Sequence, residues 1–247
     1  MPVTRRQMLA CSLSATALAA LPSAGSEKEP QGHGHVVLLG DSIFDNKVYL
    51  GEDDPAVIDQ LGSRLPDGWR ATLLAVDGDT TEDVATQMQG MPTDATHLVI
   101  SVGGNDALQA EPVLSRPTEN VSQGLLEMAR VQDAFRKTYR AMVDTVLKHN
   151  KPTAVCTIYD PNFENETEQR VSVLALAGFN DVITRAANRH GLPVIDLRVL
   201  FDSPEDYANP IEPSAVGGDK LAGAITSIVS AHDFSSRQCV LYGAPSV

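Results

Sequence analysis

Basic side chains are scarce in this chain: 19 Lys and Arg stand against 32 Asp and Glu, a formal net charge of -13 at pH 7. Such a surface repels a phosphate backbone, and no Lys/Arg cluster interrupts it, which excludes nucleic acid as a partner. Cysteine is nearly absent, with three in 247 residues, too few for a scaffold built on disulfides. Aromatic residues make up only 5% and Trp occurs once, so a core must come from the Ala, Val, Leu and Ile that dominate the 43% hydrophobic content. No apolar run reaches the roughly 20 residues of a membrane span. Asp79, Glu82 and Asp83 cluster, but no His or Cys accompanies them and their spacing is not that of a calcium loop, so no metal or other cofactor is assigned.

What is present begins with an export signal over residues 1–25. Thr4-Arg5-Arg6-Gln7-Met8-Leu9 supplies the charged region and an Ala-rich run to Leu21 the short apolar one. The paired arginines resemble the twin-arginine type, which implies a bacterial protein exported already folded to the periplasm or medium. Ala17-Leu18-Ala19 and Ser23-Ala24-Gly25 both offer small residues at cleavage spacing. Residues 26–34 read as a polar linker, 35–232 as one domain and 233–247 as a tail. Removal of the signal leaves Cys156 and Cys239; Cys156 falls in a predicted central strand, where a buried free thiol is the common state.

The domain alternates apolar strands with helical periods. Val36-Val37-Leu38-Leu39 runs straight into Gly40-Asp41-Ser42, Arg70 to Val76 into Asp77-Gly78-Asp79-Thr80-Thr81, and Thr96 to Val102 into Gly103-Gly104-Asn105-Asp106. Two more strands are predicted at Thr153 to Tyr159 and Leu192 to Leu197. Helical spacing covers Asp53 to Leu65, Glu82 to Met88, Glu119 to Asn150, Val171 to His190 and Gly217 to Ala231. Leu108 to Pro117 and Asp160 to Glu168 read as loops, the glutamates of the second as a solvated face. Continuous apolar strands separated by helices predict a three-layer α/β/α domain on a five-stranded parallel sheet of flavodoxin-like order, with right-handed crossovers.

In such a sheet ligands bind outside the carboxyl ends of the strands, so Ser42 is placed for chemistry as a nucleophile. Ser and Asp also serve as helix caps, and one short motif decides little. Three such blocks, in order, resemble the SGNH (GDSL-type) hydrolases over about Val36 to Ile225. The resemblance implies an ester hydrolase. It makes Ser42 the residue that forms an acyl-enzyme, and it assigns the oxyanion hole to the backbone N–H of Ser42, the backbone N–H of Gly78 and the side-chain amide of Asn105. Short acyl or O-acetyl esters, acetylated carbohydrates among them, are the substrates it implies.

The fourth block departs from that pattern. Where the family carries an Asp three residues before a His, ahead of Pro-Ser and the last helix, this chain has Asn209-Pro210-Ile211-Glu212-Pro213-Ser214. Its six histidines all fall where the predicted fold keeps them from Ser42. Two readings remain open. In one, Glu212 is the general base, its low basicity raised by burial, with Asn209 orienting it through a hydrogen bond. In the other, the serine is not properly activated and the protein binds an ester or acetylated glycan without efficient turnover.

Overall fold

The computed structural model describes residues 32–243; the expected export signal, with Cys11, lies outside them. The first element, β1 (His35–Gly40), is buried along its whole length, and its side chains alternate between two cores as a strand's must. Val37 and Leu39 join one core, Val36 and Leu38 the other. Helix α1 (Val57–Arg64) leads to β2 (Arg70–Leu73), α2 (Val84–Gln87) to β3 (His97–Ser101), and α3 (Gly104–Ala110) to the long α4 (Val121–Leu147). Then come β4 (Thr153–Cys156), α5 (Glu166–His190), β5 (Val194–Ile195), α6 (Leu197–Leu200), a hairpin of β6 (Tyr207–Asn209) and β7 (Glu212–Pro213), α7 (Ala215–Ala231) and β8 (Leu241–Tyr242).

The main sheet runs β2-β1-β3-β4-β5-β8 with every pair parallel. The first five strands follow the expected flavodoxin-like order, and the family of α/β/α folds is as predicted. The count is six, not five. The segment after residue 232, expected as a tail, returns to lay Leu241 and Tyr242 beside Val194 and Ile195. Two residues of strand carry too little period to be seen in a sequence.

Helices α4 and α5 pack together over one face of the sheet, α1 and α7 over the other. Helix α4 buries Phe135, Tyr139, Met142, Val143 and Val146 against the core, with Val131 and Leu147 partly buried beside them. Parts of the two loops expected from the sequence are helical. Residues 104–110 form α3, followed by a 3-10 turn at Glu111–Ser115. Helix α5 starts at Glu166, not Val171, because Asn165 Oδ1 caps it, accepting from the N–H groups of Thr167 and Glu168 at 3.0 Å each. Of the glutamates read as a solvated face, all exposed, Glu166 and Glu168 lie in the first turn of that helix, where the dipole favours negative charge, and Glu164 precedes its cap.

Candidate active site

Because the strands are parallel, their carboxyl ends share one rim, and the motif loops meet there. The turn after β1 requires glycine at position 40: its φ is +134° and a Cβ would stand 1.7 Å from Ser101 O. Gln87 clamps this point, donating to Gly40 O at 2.7 Å and accepting from Gly40 N–H at 2.9 Å. It also donates to Asp79 Oδ2 at 2.7 Å, which ties the first motif turn to the second. No motif marks Gln87; only its place among the buried residues of α2, beside Val84, singles it out.

Ser42 is 8% exposed, and its hydroxyl donates to Glu212 Oε1 at 3.1 Å. Glu212 is 5% exposed, and its second oxygen has no protein partner among the described residues. Burial pushes its carboxyl up to about 7; the bond from Ser42 opposes the shift and the charge of Asp77 adds to it. Asp41, next to the serine, is also raised to about 7, by burial first and by the charge of Glu212 among other causes, against the N–H groups of Ile43 and Gly103 that hold its ionised form. The site therefore carries two carboxyl groups that titrate near neutrality.

Asn105 lines the same cavity as Ser42. Its amide donates one N–H to Asp79 O at 2.9 Å, and an amide NH2 has a second to give. Gly78 lies in the adjoining turn, closed by Asp79 N–H to Val76 O at 3.1 Å. Its φ of +85° accounts for the glycine, and a Cβ there would meet nothing within 4 Å. Asp106 anchors the neighbouring loop by accepting from Thr81 N–H and Oγ1–H, both at 3.0 Å.

Asn209 stands opposite Glu212 across the β6–β7 hairpin, but the expected hydrogen bond from its side chain to the carboxylate is not formed. Its Oδ1 accepts from Ile211 N–H at 3.0 Å, closing the turn of its own hairpin, a local bond that an Asn makes readily. Glu212 is instead held through the backbone around it. Asn162 N–H donates to Pro210 O at 2.8 Å, the Tyr159 hydroxyl to Ile211 O, and Asn46 Nδ2 to Pro213 O at 3.3 Å. Asn46 also accepts from Val57 N–H at 3.1 Å, so one buried amide joins the serine loop, α1 and the hairpin. Asn46 follows the serine motif and reads from the sequence as a helix-capping or loop-fixing residue, which its bond to Val57 at the start of α1 bears out; Tyr159 gives no signal in the sequence, since its partner is a carbonyl oxygen far along the chain. The nearest acid upstream, Asp206, is buried and paired with Lys220 at 2.8 Å.

None of the six histidines lines the cavity. His35 opens β1, bonded to Asp94 at 3.1 Å and Thr72 at 2.7 Å. His97 opens β3 against Trp69 and Phe234, and His232 follows α7, bonded to the Tyr242 hydroxyl at 2.8 Å. Cys156 and Cys239 are both free thiols.

The cavity measures about 740 Å³. From Ser42 and Glu212 it extends between α3 with its following turn, α4 and α5, and the segments 108–117 and 160–168 both contribute to its walls. Among the described residues no helix is long and apolar enough to cross a membrane.

A three-layer α/β/α fold on a parallel sheet, with a buried strand-end serine and an asparagine lining one cavity, is the architecture of the SGNH class of hydrolases. The GDSL-like lipase/acylhydrolase family model matches residues 38–219, and the chain belongs to that family, which makes it a carboxylic ester hydrolase. Solved structures give the same fold. An extracellular lipase from Streptomyces rimosus is 19% identical, with a TM-score of 0.59 over 81% of this chain and 100% of that one. A phospholipase A1 from Streptomyces albidoflavus is 18% identical, with a TM-score of 0.56 over 81% and 99%. An acetyl xylan esterase is 20% identical, with a TM-score of 0.56 over 79% and 99%. The search among curated proteins by sequence found no match.

Proposed function

We propose that the protein hydrolyses acyl esters through an acyl-enzyme on Ser42, with Glu212 as general base in the place the family gives to histidine. The observation that carries this reading is the hydrogen bond from Ser42 Oγ–H to Glu212 Oε1, 3.1 Å long. Glu212 takes the serine proton as Oγ attacks the ester carbonyl, then returns it to the leaving alcohol. A water molecule, deprotonated by the same carboxylate, releases the acid and restores the serine. Negative charge on the carbonyl oxygen of each tetrahedral intermediate is met by the N–H groups of Ser42 and Gly78 and the second amide N–H of Asn105. A base that titrates near 7 is better matched to neutral pH than an ordinary glutamate, because catalysis needs it ionised yet basic. The paired Arg5 and Arg6 and the apolar run to Leu21 support export by the twin-arginine route.

The test is hydrolysis of a chromogenic 4-nitrophenyl ester by wild type, Ser42→Ala and Glu212→Gln. Both variants should lose at least about 10³-fold in kcat/KM. Equal rates in wild type and Ser42→Ala would overturn the mechanism and leave ester or acetylated-glycan binding without turnover as the function. A fully active Glu212→Gln would move the base elsewhere.

A further inference from the structure

The cavity is far larger than an acetyl group needs, and its walls are mostly apolar, with the exposed Glu111, Asn165, Thr167 and Glu168 as polar members. Its inner end is closed by buried Val102, Ile158 and Phe179. Toward solvent it is lined by Leu108, Leu114 and Val171, which stay 48%, 39% and 43% exposed. Hydrophobic side chains that line a site and remain half in water gain burial when an apolar ligand covers them. A polysaccharide would set hydroxyl groups against the apolar inner stretch of Val102, Val131, Ile158, Ala175, Leu176 and Phe179, whose side chains offer them no partners.

We propose that the acyl half of the substrate is a straight hydrocarbon chain of medium length, housed between α3, α4 and α5, and not an acetyl group. The inference rests on Ser42 being the nucleophile, since that fixes where the acyl carbonyl sits. Along α5 the lining runs from Thr167 to Phe179; past the polar Thr167 and Glu168, the stretch from Val171 to Phe179 that carries the apolar side chains is roughly 12 Å of helix at about 1.5 Å per residue. Single C–C bonds of about 1.5 Å advance roughly 1.25 Å each along an extended chain, so a wall of that length accommodates about eight to twelve carbons.

Each methylene that enters the cavity leaves water, and its transfer is worth up to about a fourfold gain. The experiment is kcat/KM for 4-nitrophenyl acetate, butyrate, octanoate, decanoate and palmitate, each below its critical micelle concentration. The expected profile climbs from acetate by up to about fourfold per methylene and levels off by about twelve carbons. Ala175, on the α5 wall, provides the block: Ala175→Trp fills the cavity, and the decanoate-to-acetate ratio should fall at least about tenfold. Should that variant not fold, Val131→Phe on the α4 wall takes its place with the same expected ratio. A profile that is flat or highest at acetate, with Ser42→Ala inactive throughout, would overturn the acyl-chain proposal and leave the nucleophile standing. Activity retained in Ser42→Ala would instead remove the reading on which the proposal rests.

Discussion

At the scale of single residues, the pair Asp41 and Glu212 sets stability and activity against one another. Both carboxyls are raised to about 7, from ordinary values of 3.8 and 4.5. The fold therefore prefers them protonated, while the unfolded chain releases those protons at much lower pH. Their contribution to stability is complete below about pH 4 and is lost as pH rises through 7. Catalysis needs ionised Glu212, so kcat/KM should rise over the same interval in which Tm falls. Glu212→Gln removes the buried charge and keeps the shape. At pH 8 it should be inactive and more stable by at least about 1 kcal/mol, or about 2–4 °C in Tm for a chain of this size. A Tm at pH 8 below that of wild type would show that the ionised carboxylate stabilises the fold instead of straining it.

At the scale of elements, the hairpin of β6 and β7 matters most, because it presents Glu212 yet is itself only a few residues long. Its position is imposed by three donors from outside, of which Asn46 is fully buried. Asn46→Ala leaves Val57 N–H and Pro213 O without partners in the interior. The expected cost is about 1–3 kcal/mol in stability, read by thermal unfolding. Because a base displaced by as little as 1 Å loses much of its effect, kcat should drop by about tenfold or more. Full kcat in Asn46→Ala would show that the other two donors suffice to hold the hairpin. The two helices flanking the cavity make a related point. Asn165 and the acids after it look like a loop by hydropathy, but capping and the helix dipole make them the start of α5, and with it one wall of the site.

At the scale of the whole molecule, the sheet is completed by residues that return from beyond the last helix. Val194 N–H donates to Val240 O at 2.9 Å and Asp196 N–H to Tyr242 O at 2.7 Å, so β8 covers an edge of β5 that would otherwise be bare. Deleting residues 238–247 should lower stability by roughly 2 kcal/mol, about 4–8 °C in Tm, measured by thermal unfolding of the truncated chain. An unchanged Tm would mean that the added strand only rests on the sheet.

The sequence by itself determined the layers of the fold, since buried strands and amphipathic helices write their periods into neighbouring residues. It also marked Ser42, Gly78 and Asn105 as strand-end positions, because glycines, acids and amides break each apolar run at the same point. Local period says nothing about which distant groups touch. Ser42 and Glu212 are 170 residues apart, and only the parallel register and the pinned hairpin bring them to hydrogen-bonding distance. Likewise Asn209 could be counted three places from Glu212 but not oriented, and its side chain answers its own turn. The cavity between α3, α4 and α5 exists only once those helices pack, because its volume belongs to the gaps between elements and to no stretch of chain.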